Sequence, residues 1–158
     1  MKEHNYQIKV EWTGNQGAGT LDYRAYSRDH LISGTAKTET LPGSSDPAFL
    51  GDKTRYNPEE LLVASLSSCH MLWYLHLCSV NNIIVTGYVD LAEGVMEESK
   101  DGSGRFKEVI LKPVVTLAHD QPMDKARELH QEAHKMCFIS NSCNFTVKHD
   151  PSLSVQEV

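Results

Sequence analysis

The feature that most constrains this chain is a long run without any charged side chain, residues 61–89. By length alone, such a run can cross a bilayer as a helix. Polar side chains interrupt it throughout, however, and each is costly in lipid. They are Ser65, Ser67, Ser68, His70, His76, Ser79, Asn81 and Asn82. We therefore predict a helix buried on every side, by its own chain or by a second subunit, rather than a membrane span.

The composition is that of one soluble globular domain. The 158 residues are 40% hydrophobic and 23% charged, which excludes collagen-like, coiled-coil and wholly disordered chains. We expect a single domain over residues 1–158, with a loose tail at 150–158. The chain has 15 Lys and Arg against 21 Asp and Glu and no long basic run, so no nucleic-acid partner is expected. Residues 1–10 contain no apolar signal segment, which predicts a cytoplasmic protein.

The start of the first helix is marked by side chains that suit a helix N-terminus. Asn57 is a good N-cap, and Pro58 fits the first helical position. Glu59 and Glu60 complement the positive end of the helix dipole. These residues predict a helix over residues 58–80.

The remaining elements are predicted from alternation, helical spacing and turn residues. Strands are expected within residues 6–12, 22–40, 83–98, 105–118 and 144–149, with a long loop at 41–57 and a second helix over 123–136. The second helix carries one apolar stripe, which consists of Ala126, Leu129, Ala133 and Met136. One face of the fourth strand region is expected to hold Val109, Leu111, Val115 and Leu117. The order β-β-α-β-β-α-β predicts an α+β fold.

The cysteines are the first candidates for chemistry, and they are Cys69, Cys78, Cys137 and Cys143. They form no CxxC, so neither a zinc ribbon nor a thioredoxin motif is predicted. Cys78 lies about 180° around the predicted helix from Cys69, so these two are not a local pair, and Cys78 is expected to pack in the core. Packing is also expected for Cys143. The face of Cys69 carries Leu62, Ser65, Leu66, Trp73 and His76.

Two separated motifs resemble signatures of a known family. The first is NPEELLVASLSSC, residues 57–69, in which the Cys follows ten residues after the Glu of Asn-Pro-Glu. The second is AHKMCFISNS, residues 133–142, with a Cys at the end of the second helix. Both are similar to the OsmC/Ohr family (osmotically inducible protein C / organic hydroperoxide resistance). The resemblance implies an OsmC-like fold, in which antiparallel sheets wrap around long buried central helices, and an intertwined homodimer with active sites at the subunit interface.

The resemblance also implies a redox chemistry. Cys69 would be the peroxidatic thiol, Cys137 the resolving thiol that captures it as a disulfide, and Glu59 the residue that orients an activating Arg. The chain would then be a thiol-dependent peroxidase with an organic hydroperoxide as substrate and a dithiol as reductant, without a metal or other cofactor. An alkyl or fatty-acid hydroperoxide is favoured by the apolar residues Leu62, Leu66 and Trp73 near the first thiol.

The activating Arg has more than one candidate. In one branch of the family it precedes a Phe-X-Gly segment, and the matching stretch PAFLG has Ala48 at that position. In the other branch it comes from the amino-terminal hairpin, which makes Arg28 the first substitute and Arg55 the second; plain surface charge is the alternative for both. Ala48 also leaves open a non-catalytic protein of the same fold that binds a hydrophobic ligand at the dimer interface.

A zinc site is a further alternative on the second helix. His130, His134 and Cys137 share one face, and such a set can bind zinc together with a fourth ligand. Gln131 stands where an HExxH motif requires Glu, so no zincin motif is present. His70 is expected to be a core or interface histidine.

Overall fold

The computed structural model describes residues 2–156. Its backbone forms two compact units, Met1–Leu61 and Leu62–Val158. Over the described residues, two α-helices and nine strands follow one another in the order βββ-α-ββββ-α-ββ. This order confirms the α+β class. The single domain expected for the whole chain stays a prediction.

The first unit contains a three-stranded sheet in the order β1-β2-β3. Its strands are β1 (Lys9–Trp12), β2 (His30–Ser33) and β3 (Leu41–Gly43), and both pairings are antiparallel. Strand β3 lies at an edge of the sheet, where a proline such as Pro42 is tolerated.

The strand predicted over residues 22–40 is wrong except for β2. The chain turns at Asp22 instead, because its side chain accepts a hydrogen bond from the backbone N–H of Arg24 at 2.8 Å and its carbonyl accepts one from Ala25 at 3.0 Å. The loop predicted over residues 41–57 includes β3 and a short 3₁₀-helix, Pro47–Phe49.

Helix α1 (Pro58–Val80) has the predicted bounds. Asn57 Oδ1 accepts from the Glu60 backbone N–H at 2.8 Å, and Glu60 Oε2 accepts from the Asn57 N–H at 3.0 Å, which is a reciprocal capping box. The buried face of this fully described helix consists of Leu66, His70, Tyr74 and Cys78. The other faces are partly or fully exposed, so its own chain does not bury the helix on every side, and burial by a second subunit stays a prediction.

By length and composition, α1 is also the one helix among the described residues that could cross a membrane. Core helices of globular proteins pass the same test. The inner face of α1 packs into a protein core with residues of α2 and of neighbouring strands, which is the environment of a core helix.

Helix α2 (Met123–Met136) has the predicted bounds as well. Ala126, Leu129 and Ala133 are buried, as the apolar stripe predicts. Met136 is 44% exposed, so the stripe ends one turn before the helix does.

The second unit contains two three-stranded sheets, in the orders β4-β7-β9 and β5-β6-β8. In each sheet the first pairing is antiparallel and the second is parallel, so the prediction of antiparallel sheets is correct only in part. The strands are β4 (Val85–Asp90), β5 (Glu93–Glu98), β6 (Gly104–Leu111), β7 (Pro113–Leu117), β8 (Thr146–His149) and β9 (Ser152–Val155).

The loose tail predicted for residues 150–158 is wrong for most of its described part. Ser152–Val155 forms β9 and pairs in parallel with β7. Leu153 packs against the core, because the alternation Ser-Leu-Ser-Val presents it on one side of the strand. Glu157 and Val158 lie outside the described residues.

The apolar side chains predicted to share one face are divided between two cores of the second unit. Val115 and Leu117 of β7 pack in the core that contains the inner face of α2. Val109 and Leu111 of β6 pack with Leu66 in another core. Helix α1 contributes Leu66 to one core and Tyr74 and Cys78 to the other. Both cores therefore hold its inner face in place.

Candidate active site

Two of the four cysteines meet where the end of α2 reaches α1. Cys69 lies within α1 and is partly exposed. Cys137 is the C-cap residue of α2 and is 1% exposed. The two side chains lie close enough for Cys69 to raise the pKa of the Cys137 thiol. The structure therefore brings together the two residues to which the sequence assigned the redox roles, and we call them the thiol pair.

The environment of Cys137 keeps its sulfur protonated. Burial raises the pKa of the Cys137 thiol to about 11, and the neighbouring Cys69 thiol acts in the same direction. The backbone N–H of Ser140 donates to Cys137 Sγ at 3.4 Å and opposes the rise in pKa. Cys137 is therefore a neutral thiol near pH 7 and can donate its S–H to the sulfur of Cys69.

The other two cysteines are packed apart from the thiol pair. Cys78 is 1% exposed and packs with Tyr74 and Ile83 in the core. Cys143 Sγ donates to the carbonyl of Ile139 at 3.2 Å and packs against the core around β6. Burial raises the pKa of both thiols. Packing was the role expected for each.

An apolar surface adjoins the thiol pair. Trp73 lies one turn after Cys69 in α1 and meets Phe138 edge to face, with ring centroids 5.6 Å apart. Leu72, Trp73 and His76 line an open cavity of about 330 Å³. Leu72 and Phe138 are 63% and 64% exposed. An apolar molecule can approach the thiol pair along this surface.

The structure places the predicted pocket residues in different environments. Trp73 lies at the cavity. Leu66 is 0% exposed and packs with Val109 and Leu111, so it is a core residue rather than a pocket residue. Leu62 is half-buried, and its role stays a prediction.

Arg28 is held between two tyrosines of the first unit. Its guanidinium lies 4.3 Å from the ring centroids of both Tyr23 and Tyr26, which is a cation–π arrangement. Its two terminal nitrogens donate to the carbonyls of the same two residues, each at 2.6 Å. Among residues 2–156, no carboxylate lies within ion-pair distance of Arg28. No carboxylate of these residues therefore balances its positive charge.

Arg55 is in a different electrostatic position. Its guanidinium lies 3.7 Å from Asp29 and 3.7 Å from Asp52, so two carboxylates balance its charge. Ala48 is exposed in the 3₁₀-helix, and Glu59 is half-buried in the first turn of α1. All of these residues belong to the first unit, whereas the thiol pair belongs to the second.

The second unit also holds four histidines that come together, a group the sequence analysis did not recognise. His70 Nε2 and His130 Nδ1 are 3.0 Å apart and hydrogen-bonded, and both residues are 0% exposed. The His149 ring centroid lies 5.5 Å from that of His70 and 5.4 Å from that of His134. We call these residues the histidine cluster. The i, i+4 spacing of two of them on α2 was visible, but their partners come from α1 and β8.

The zinc hypothesis is not supported by this arrangement. A lone pair or proton of His130 Nδ1 is used in the bond to His70. Within residues 2–156, no group of three or more His, Cys, Asp or Glu side chains is arranged to hold a metal ion. The set of His130, His134 and Cys137 is therefore wrong as a metal site.

Comparison with known proteins decides the family. The family model described as OsmC-like protein matches residues 51–152, a range that contains the NPE motif and both members of the thiol pair. The chain belongs to the OsmC/Ohr family. The fold expected from the sequence is thereby confirmed as OsmC-like.

Similarity to known proteins extends over nearly the whole chain. An OsmC-like protein of unknown function from Vibrio cholerae has a TM-score of 0.84 and 28% identity, covering 96% of this chain and 100% of that chain. The uncharacterized protein YmaD of Bacillus subtilis is 24% identical and covers 99% of this chain and 97% of its own. An organic hydroperoxide resistance protein OsmC from Legionella pneumophila shares the fold, with a TM-score of 0.67 and 19% identity over 97% of this chain and 100% of that chain.

Proposed function

We propose that this OsmC-family protein is a thiol-dependent peroxidase that reduces organic hydroperoxides. The observation that carries the proposal is the contact between Cys69 and Cys137. A thiol oxidised by peroxide returns safely to the reduced state when a second thiol captures it before over-oxidation. Two relatives of the same fold are named as organic hydroperoxide resistance proteins, which supports a peroxide-related role.

Cys69 is the nucleophile in this proposal, because it is partly exposed whereas Cys137 is buried and has a raised pKa. The Cys69 thiolate attacks the outer oxygen of the hydroperoxide, and the O–O bond breaks. The alcohol leaves after taking up a proton, and Cys69 becomes a sulfenic acid. The sulfur loses two electrons, and the peroxide gains them.

Cys137 resolves the sulfenic acid. Its sulfur attacks the sulfur of Cys69, the S–O bond breaks, and hydroxide leaves as water with the proton of the Cys137 thiol. An external dithiol then reduces the disulfide by thiol–disulfide exchange and supplies the two electrons of the cycle. A cytoplasmic location, where such reductants keep thiols reduced, fits this cycle.

Arg28 is the residue we propose for activation of Cys69. A cation beside a thiol favours its thiolate form, and the charge of Arg28 has no carboxylate partner within residues 2–156, whereas Arg55 is paired twice. The planar stack with Tyr23 and Tyr26 holds the guanidinium in one orientation. Glu59 is proposed to orient this cation.

The substrate class follows from the surface beside the thiol pair. Leu72, Trp73 and Phe138 present apolar atoms there, and two of the three are more than half exposed. Leu62, about two turns before Cys69 in α1, extends this surface in the proposal. An alkyl or fatty-acid hydroperoxide gains hydrophobic burial there that hydrogen peroxide does not.

We further propose that two copies of the chain form a homodimer in which the second copy covers this face of α1 and encloses the substrate surface, so that the active site lies at the subunit interface. The helix contains no charged side chain after Glu60, yet Leu72 and Val80 are 63% and 61% exposed in the single chain. Exposed apolar surface of this kind is typical of a protein interface. A second copy supplies the cover that the chain itself lacks.

Consumption of cumene hydroperoxide in the presence of dithiothreitol tests the function. We expect steady turnover by the wild type and none above background by Cys69→Ser. In Cys137→Ser, turnover falls and Cys69 accumulates as sulfinic acid, because no internal thiol captures the sulfenic acid. Cys143→Ser is the matched control and keeps its turnover. Unchanged turnover in Cys69→Ser overturns the proposal.

A non-catalytic protein that binds a hydrophobic ligand is the second candidate, favoured by Ala48 at one of the positions where the family places its Arg. The same assay separates the two. Binding of an apolar probe, together with no peroxide consumption and no oxidation of Cys69 in the wild type, supports the binding protein.

A further inference from the structure

The histidine cluster and the thiol pair join the same two helices. His70 directly follows Cys69 in α1, and His130 lies about two turns before Cys137 in α2. The bond between His70 and His130 and the contact between the two thiols are therefore neighbouring links between α1 and the end of α2.

The bond between His70 and His130 requires that at least one of the two facing nitrogens be unprotonated. His70 Nε2 and His130 Nδ1 are 3.0 Å apart, so one donates and the other accepts. If both rings are protonated, no acceptor is left in this bond. The opposite nitrogens, His70 Nδ1 and His130 Nε2, have no hydrogen-bond partner among the described residues. Within that part of the chain, no carboxylate compensates an added charge on either ring.

The groups that face the pair are neutral or positive. They come from α1, α2 and β8, and they are Tyr74, Arg127, His134 and His149. Tyr74 stacks on the His130 ring at 3.8 Å, and Tyr88 of β4 lies against Tyr74, with ring centroids 6.0 Å apart. Burial raises the pKa of both tyrosines, which keeps them neutral. The remaining three repel a protonated imidazole when they carry a charge.

Burial and these neighbours lower the pKa of His70 to about 4 and that of His130 to about 3. In the unfolded chain, both rings have a pKa of about 6.5. Above that pH, both rings are neutral in the folded and in the unfolded chain, and the pair makes its full contribution to the free energy of unfolding. Below it the unfolded chain takes up protons that the folded chain does not, so stability falls as the pH decreases from about 6.5 towards 4.

We propose that the His70–His130 pair is a positioning latch for the thiol pair, and that acidification opens it. With neutral rings, the hydrogen bond holds α1 to α2 and keeps Cys69 within reach of Cys137. When the rings separate and take up protons, as the unfolded chain does below about pH 6.5, the bond does not re-form, the helices stay apart at this point, and the thiols move apart. The latch rests on the proposed function, because it controls the disulfide step at that same site.

A pH series on four full-length proteins tests the latch. They are the wild type, the double variant His70→Leu/His130→Leu, the single variant His70→Gln, and His119→Gln. The double variant replaces the pair by apolar side chains that do not titrate, and His70→Gln keeps a hydrogen-bonding group that does not titrate. His119 is an exposed histidine and serves as the control.

Each reduced protein is oxidised with diamide, which joins neighbouring thiols without peroxide, between about pH 7.5 and pH 4.5, a range that spans the titration of an ordinary histidine. The yield of the Cys69–Cys137 disulfide is measured by mass spectrometry under non-reducing conditions. Urea unfolding is measured at the same pH values.

We expect the disulfide yield of the wild type and of His119→Gln to fall more steeply with acidification than that of the two variants at the pair. The unfolding constant of the wild type should rise by up to about tenfold per pH unit for each histidine that protonates only on unfolding, and the variants should show a smaller slope. If the double variant does not fold, the pH profile of the wild type is compared with that of His70→Gln alone.

Identical pH profiles in all four proteins overturn the latch. Absence of disulfide from the wild type at about pH 7.5, where the histidines are neutral, contradicts both the latch and the peroxidase. A steeper wild-type profile with diamide but no peroxide turnover rejects the peroxidase alone and leaves the latch in place.

Discussion

At the scale of single residues, the proposed chemistry depends on the difference between two sulfur atoms. Cys69 is partly exposed, whereas Cys137 is 1% exposed and has a pKa raised to about 11. The accessible sulfur meets the substrate first, and the buried one keeps its proton until it is needed to form water. This difference favours a fixed order of events, with Cys69 oxidised before Cys137 reacts.

The choice between the two arginines is a testable prediction at the same scale. We expect Arg28→Ala to lower kcat/KM for cumene hydroperoxide by about 100-fold, an effect typical of losing one electrostatic contact at a reacting centre. Arg28→Lys should recover part of it, because Lys keeps the charge but not the planar stack. Steady-state kinetics and the rate of Cys69 alkylation against pH measure the effect. Arg55→Ala is the control; a larger loss there than in Arg28→Ala contradicts the assignment.

The sequence indicates which two thiols to consider as a pair better than it predicts their surroundings. The pairing of Cys69 with Cys137 was implied by a family resemblance that rests on two motifs, each of which is local in sequence. The core position of Leu66 was not expected, because spacing on a helix tells which residues share a face but not what that face meets. The histidine cluster was missed for a related reason: His149 reaches it from β8, and single-sequence patterns do not encode that approach.

At the scale of elements, the helices were predicted with correct bounds and most strands were not. Helix α1 starts at Pro58 because Asn57 and Glu60 satisfy each other's backbone N–H groups, and this signal is local. The parallel pairings of β8 and β9 join residues far apart in sequence. Turn chemistry does not specify such pairings, which explains why the end of the chain was predicted as a loose tail.

The capping box gives a prediction for the element that carries Cys69. We expect Asn57→Ala to lower the free energy of unfolding by about 1 kcal/mol, because it removes the acceptor for the Glu60 N–H. Urea unfolding followed by circular dichroism measures the change. Glu60→Gln keeps an acceptor for the Asn57 N–H and should cost less. An Asn57→Ala protein as stable as the wild type would show that the cap does not stabilise α1.

At the scale of the whole molecule, both units expose apolar side chains. In the first unit Ile8 and Val10 are 62% and 64% exposed, and in the second unit Leu72 and Phe138 are 63% and 64% exposed. Single exposed apolar side chains are normal on a monomeric protein, whereas a contiguous exposed apolar patch marks an interaction surface. Their presence in both units supports a dimer in which each chain contributes more than one surface.

The homodimer predicts a mass in solution of twice 17.7 kDa. Light scattering at micromolar concentration should give this value for the wild type. Leu72→Glu places a charge on the exposed apolar face of α1 and should shift the protein towards the monomer, because an unpaired charge is costly to bury. Ser99→Glu adds the same charge at an exposed polar position just after β5 and should stay dimeric. A folded wild-type monomer contradicts the dimer.

The most direct test of the central claim is the oxidation product of the reduced wild-type protein after one equivalent of cumene hydroperoxide. Mass spectrometry under non-reducing conditions should show the loss of two hydrogens, and peptide mapping should place the new bond between Cys69 and Cys137. A disulfide that involves Cys78 or Cys143 instead, or a protein that stays fully reduced while the peroxide persists, would contradict the account.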